Sequence, residues 1–360
     1  MSKRLFLSSP RFYGIDESIR DAWKDCGYSV VLRNSRAASN VGETIARRLG
    51  VTVPFMTPSC MAHIRGYLDR ENQEFLKAVR AERPDLVFVI KGDHLFPDTL
   101  AAIKQELGIP VVAYIWDDPF CSYAGTRMDE YRSSNFEKGM NLYDWVFVYD
   151  TYYVDQLIQR GVKDVSYLPL ATDPEKYNGP RPGWGERAEH IYDACFVGTP
   201  YPNRVAALDC LKTYDLGVFG DGWRKYFLRR GKMVPSYYRG MAIGEKVVSL
   251  YRSAKIVLNI HDPEARNGAN TRTFDILACG GSELVDFRDS LAAHFIIGEE
   301  IVCYHDLQEL GDLVAFFSRN ELDLRRIAAK GRERVLREHT WRHRIAQAIV
   351  ALTDKGLLAA

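Results

Sequence analysis

Along this chain short, continuous apolar runs alternate with longer polar stretches in which apolar residues recur at helical spacing, and that alternation predicts the elements. Strands are predicted at Arg4–Ser9, Tyr28–Arg33, DLVFVIKG (85–92), VVAYIW (111–116), DWVFVYD (144–150) and VSYLPL (165–170). Helices are predicted between them at about Glu17–Cys26, Ala62–Glu82, Pro97–Leu107, Ser133–Met140 and Tyr152–Gln159. The stretch Ser35–Ser59, with Pro54 and Pro58, reads as an irregular loop able to move. A strand followed by a helix, repeated five or more times, implies a parallel sheet wound with helices.

Residues 172–189 carry three prolines, three glycines and little apolar content, and read as a linker. A second series then begins: DACFVG (193–198), a helix Asn203–Thr213, DLGVFG (215–220), an irregular stretch Trp223–Arg239 and a helix Gly244–Ser253. A strand ending at Asn259, a polar loop, a helix from Thr271 that stops at Gly280-Gly281, and a strand ending at Asp286 follow. The run EEIVCY (299–304) and helices at Leu307–Ser318, Asp323–Glu338 and Trp341–Leu352 complete the chain. The pattern divides it into Rossmann-like domains over 1–171 and 172–340, with a terminal segment over 341–360.

At 360 residues the chain suits two cores of about 150 to 180 residues each. A formal net charge of +1 supplies no global pull toward nucleic acid, and any anion site must be local. The seven cysteines show no paired spacing and sit mostly within apolar runs, which argues against a disulfide frame or a zinc site. No secretory leader is evident and no run reaches the roughly 18 apolar residues of a membrane span, so the expectation is a cytoplasmic protein with at most peripheral membrane contact. Between Trp223 and Arg239 six basic residues interleave with five aromatics, read as a solvated, folded excursion rather than a groove for acceptor, lipid or bases.

Candidate chemistry gathers after the strands. In the loop 261–275, Asn270 and Thr271 are good caps, so the helix amides and dipole face the loop and favour a phosphate. Arg272 adds a planar cation, and Asp275 lies one turn deeper, where a carboxylate accepts from ribose hydroxyls. The plain alternative is that Asp275 only complements the helix dipole and Arg272 makes a surface ion pair. Asn259, His261 and Thr273 border the same loop. Gly198 follows the first strand of the second series, with Asn203 and Arg204 just beyond, and Gly220 follows the next; neither loop carries G-x-G-x-x-G. In the first series Asp93-His94 and Asp117-Asp118 follow apolar strands, as candidate general bases or as turn residues. No metal site is expected.

The pieces VLNIH, N-x-R-T-F-D-I and A-C-G-G, with IKGDHLFPDTL, YIWDDPF and FVGTPYPNR, resemble GT-B glycosyltransferases of the spore-maturation CgeB-like group. The resemblance implies two Rossmann-like doubly wound domains facing across a cleft, with the last helix crossing back to the first. It implies a nucleotide-diphosphate sugar donor as substrate, no cofactor, a glycan, protein or small-molecule acceptor, and no nucleic-acid partner. Asp275 stands where related retaining enzymes place a ribose-binding glutamate. Their other glutamate, eight positions earlier, is Asn267 here, a departure from the pattern. Arg204 matches an arginine that holds the diphosphate, with Arg272 sharing that task. A sugar-nucleotide epimerase or hydrolase, and a noncatalytic binding or assembly protein on the same frame, remain as alternatives.

Overall fold

A computed structural model describes residues 3–11, 13–34, 58–120, 134–177 and 191–359. The predicted loop 35–59, apart from its last two residues, and most of the predicted linker 172–189 lie outside the described residues. Two compact units account for the chain: Met1–Pro169 with Arg344–Ala360, and Leu170–His343.

The first unit contains β1 (Lys3–Ser9), α1 (Ile15–Asp25), β2 (Tyr28–Asn34), α2 (Pro58–Glu82), β3 (Leu86–Ile90), α3 (Pro97–Leu107), β4 (Val111–Ile115), β5 (Trp145–Val148), α4 (Thr151–Gln159) and β6 (Val165–Tyr167). Its six strands are all parallel, in the order β2-β1-β3-β4-β5-β6. The central strands LVFVI and VVAYI are buried at every position, which is why they read as unbroken apolar runs. The edge strand β2 is mostly half-buried. Helix α2 starts at Pro58, inside the expected loop, because a first-turn proline gives up an N–H that has no helical partner anyway.

The second unit runs through α5 (Pro174–Tyr177), β7 (Tyr192–Val197), α6 (Pro202–Cys210), β8 (Leu216–Phe219), α7 (Trp223–Leu228), α8 (Glu245–Ser253), β9 (Ala254–Asn259), α9 (Thr271–Ala278), β10 (Glu283–Asp286), α10 (Asp289–His294), β11 (Val302–Tyr304), α11 (Leu307–Arg319) and α12 (Glu321–Glu338). Its five strands are again parallel, in the order β11-β10-β9-β7-β8. The helix α13 (Trp341–Asp354) begins in this unit and passes into the first.

Counted within its own unit, each sheet has first-series order 2-1-3-4-5, so the winding direction reverses between β1 and β3 and again between β7 and β9. At such a reversal the loops leaving two adjacent strands diverge, and the space beyond their carboxyl ends is where open α/β sheets bind ligands. The segment expected to be irregular holds α7, whose Trp223 and Phe227 are one turn apart and buried with Tyr237 against Phe196 and Val218. Its aromatics therefore belong to the core.

Candidate functional site

At the β7–β9 reversal the chain brings most of the expected residues together. Strand β7 ends at Val197 and passes directly into Gly198, beside Gly220 at the end of β8. A Cβ on Gly220, which adopts φ +137°, would lie 2.1 Å from the carbonyl oxygen of Gly198. A Cβ on Gly198 would lie 2.9 Å from Nη1 of Arg272. Gly220 is thus required by close approach to backbone, while a Cβ at Gly198 would crowd side-chain ends, the Phe196 ring at 2.8 Å as well as Arg272.

Asn270 caps α9, its Oδ1 accepting from Thr273 N at 3.2 Å. The cap places Arg272 in the first turn, where Nε donates to Asn259 Oδ1 (3.3 Å) and Nη1 to Val197 O (3.4 Å). The guanidinium is thereby fixed at the end of β7 while the side chain keeps partial exposure. Asn259 is fully buried, and its Nδ2 faces Asn270 Oδ1 (3.2 Å), Thr273 Oγ1 (2.9 Å) and Glu283 Oε1 (2.8 Å).

Asp275 lies about one turn deeper in α9 and accepts from Thr172 Oγ1 at 2.7 Å. Burial raises its carboxyl to about 7, against the lowering effect of the Thr172 hydroxyl and the Arg272 charge. Thr172 is itself held by backbone: its N–H donates to His339 O (3.1 Å), and its carbonyl accepts from Trp341 N (3.0 Å).

Arg204, expected to hold the diphosphate, lies buried between two loops. It is 1% exposed, and its guanidinium donates to Ile260 O (2.8 Å), Thr199 O (3.1 Å) and Asp262 Oδ2 (3.4 Å). These bonds tie the loops after β7 and β9 to each other. Burial, and next the positive charge of Arg272, lower its pKa to about 9. Both guanidinium groups stand over the Phe196 ring, at 5.6 and 5.9 Å from its centroid. Asp262 counters Arg204, while the partly exposed Arg272 brings a second positive charge to this end of the sheet.

His261 is likewise a latch. It is fully buried; Asn270 N donates to its Nε2 (3.2 Å), which leaves the ring proton on Nδ1, donating to Asp286 Oδ1 (2.7 Å). Burial pushes the Asp286 carboxyl up, but His261 and Arg288 outweigh it and hold it at about 2. Asn203 donates to His261 O at 2.8 Å and closes the same loop.

In the first unit the reversal joins the end of β1 to the loop after β3. His94 is buried, with Nε2 3.4 Å from Ser8 Oγ and Nδ1 3.7 Å from Asp93 Oδ1. Lys91 and Gly92 both adopt φ 71°, a rare conformation for lysine. Lys91 Nζ pairs with Asp117. Two asparagines missed by sequence reasoning hold this loop by its backbone: Asn72 Nδ2 donates to His94 O (2.9 Å), and Asn135 Nδ2 to Leu95 O (2.7 Å). Asp118 is buried and accepts from Phe120 N (2.9 Å), forming the turn that follows β4. Among the described residues no group of three or more His, Cys, Asp or Glu side chains is placed to hold a metal ion.

Two parallel, doubly wound sheets in one chain, each with polar loops beyond the carboxyl ends of its strands at the reversal, define an α/β protein of the GT-B fold. Residues 203–350 match the family described as glycosyl transferase-like. The chain is a distant homologue of the spore protein CgeB of Bacillus subtilis (strain 168), 25% identical over 278 residues that cover 72% of this chain and 80% of that protein. Among solved structures it is similar to sucrose-phosphate synthase from Thermosynechococcus elongatus, with a TM-score of 0.65 at 13% identity over 98% of this chain and 100% of that one. It is also similar to Anabaena Alr3699/HepE in complex with UDP-glucose, with a TM-score of 0.63 at 13% identity over 98% and 99% of the two chains. No helix among the described residues is long and apolar enough to cross a membrane.

Proposed function

We propose that the chain is a glycosyltransferase that binds a nucleotide-diphosphate sugar at the carboxyl ends of β7 and β9 and transfers the sugar to an acceptor hydroxyl. The observation that carries this reading is the placement of Arg272 and Asp275 on one cap-fixed helix, with the Arg272 guanidinium beside Gly198 at the end of β7. Arg272 and the first-turn amides of α9 receive the diphosphate, and charge-assisted bonds of this kind contribute about 1.5 to 3 kcal/mol each. Asp275 accepts from ribose hydroxyls. Arg204 supports from behind, through its field and its grip on both loops.

In the reaction the bond from the anomeric carbon to the diphosphate breaks, a bond to the acceptor oxygen forms, and the acceptor proton leaves to a base. Neutralising the departing diphosphate is work that Arg272 and helix amides can do without a metal. The loop after β3, with Asp93 and His94, and the Lys91–Asp117 pair are assigned to the acceptor side. Asp118 is assigned to shaping its turn.

The bound UDP-glucose of the Anabaena protein makes that compound the first donor to try. Thermal shift against UDP, GDP, dTDP, CDP and their common sugars tests the reading. A true ligand at about 100 times its dissociation constant stabilises by about 2.7 kcal/mol. Absence of a shift with every nucleotide would refute a donor site. Conversion of the nucleotide sugar without any acceptor would instead favour an epimerase or hydrolase.

A further inference from the structure

Glu283 opens β10, a strand whose next residues, Leu284 and Val285, are wholly buried and apolar, and it is itself only 2% exposed. Its Oε1 accepts from Asn259 Nδ2 at 2.8 Å, while its Oε2 is buried with no hydrogen-bond partner. A carboxyl in that position costs stability that an aliphatic residue would not. Burial raises its pKa well above the usual carboxylate range.

What Oε1 accepts from decides its use. The orientation of the Asn259 amide is set from two sides. Arg272 Nε can only donate, so it requires the amide oxygen, at 3.3 Å. Asn270, turned by its own capping bond to Thr273 N, presents Nδ2 to that same oxygen at 3.0 Å. The amide nitrogen must then face inward, toward Thr273 and Glu283. Of the three acceptors around that nitrogen, Glu283 Oε1 is the nearest at 2.8 Å, ahead of Thr273 Oγ1 at 2.9 Å and Asn270 Oδ1 at 3.2 Å, and the only one that comes from β10.

We infer that Glu283 is a positioning residue, which through Asn259 holds the Arg272 guanidinium at the end of β7 for the diphosphate. The relay Glu283–Asn259–Arg272 rests on the donor-site reading above. It explains why an acid occupies the interior of a parallel sheet. Glu283 touches no reacting group, and its action is on where the cation stands.

Calorimetry with UDP and with uridine, which lacks the diphosphate, separates this role from a merely structural one. Glu283→Met keeps the side-chain length and removes the acceptor. It is expected to weaken UDP about tenfold and leave uridine unchanged, while Glu283→Gln, which restores an acceptor oxygen, returns UDP affinity to within about twofold of the parent. In an Arg272→Ala background Glu283→Met should have no further effect on UDP, as expected of two groups acting in series. Unchanged UDP affinity in Glu283→Met, an equal loss for uridine, or no rescue by Glu283→Gln overturns the inference. If Arg272→Ala itself leaves UDP affinity intact, it is the donor-site reading that fails. Should Glu283→Met not fold, Glu283→Ala measured below its unfolding temperature carries the same comparison.

Discussion

Asp275 is where protonation and binding meet. Its folded-state value of about 7 lies above the ordinary 3.8, so folding takes up a proton between those limits, and stability falls as pH rises through that window. Each unit of difference is worth about 1.4 kcal/mol. Asp275→Asn keeps an acceptor for Thr172 and removes the buried charge; its unfolding temperature should gain on the parent from pH 5 to pH 7 and level off above. Binding should show the opposite trend. A ribose hydroxyl donates best to the ionised carboxylate, so affinity for UDP-glucose, whose diphosphate charge is constant over this range, should tighten from pH 6 to pH 8 in the parent and stay flat in Asp275→Asn. The two arginines should separate as cleanly. Arg272→Ala is expected to lose at least tenfold in UDP affinity with little change in unfolding temperature. Arg204→Met, which removes buried charged hydrogen bonds to two loops, should lose about 3 kcal/mol of stability by denaturant unfolding. Sequence could place Arg272 and Asp275, because helix phase relative to a capping residue is written locally. It could not show that Arg204 faces inward, since an arginine in a first turn looks the same whichever way the helix is rolled. Glu283 escaped because a lone acid at a strand end reads as a turn residue, and Thr172 because it sits at the edge of a Pro/Gly-rich stretch.

Among the elements, the junction of β7 and β8 is the least tolerant. Gly220→Ala forces a Cβ to 2.1 Å from the Gly198 carbonyl at a φ of +137°, and neither partner is a flexible side chain that can yield. The expected result is a destabilisation of more than about 3 kcal/mol by denaturant unfolding, with loss of nucleotide-induced stabilisation in the folded fraction. The long apolar strands and the helices of ten or more residues were legible because periodicity has room to show itself. The short helices α5, α7 and α10 were not, since four to six residues hold less than two turns of pattern. The case of α7 is instructive: its basic residues suggested a surface excursion, while the buried pair Trp223 and Phe227 ties it to the core of the second sheet.

For the whole molecule the alternation of strands and helices was enough to foresee two parallel sheets, but the strand orders came from the structure, because register and neighbour choice are tertiary facts that no local pattern encodes. It is those orders that locate both reversals, and so both groups of candidate residues. The division of the chain has a further consequence for its making. The unit Leu170–His343 is continuous, whereas the other needs Arg344–Ala360, which bring the buried Ile345, Ala348, Leu352 and Leu358 and the bond from Arg344 Nε to Pro169 O at 3.0 Å. The first unit is therefore completed only by a segment that follows the second. Residues 170–343 expressed alone should give a cooperative unfolding transition, while residues 1–169 alone should be poorly soluble, and adding a peptide of residues 344–360 should recover some of it. During synthesis the sheet of the first unit precedes all of the second and the helix that completes it follows, so the amino-terminal half stays incomplete until residues 344–360 have been made.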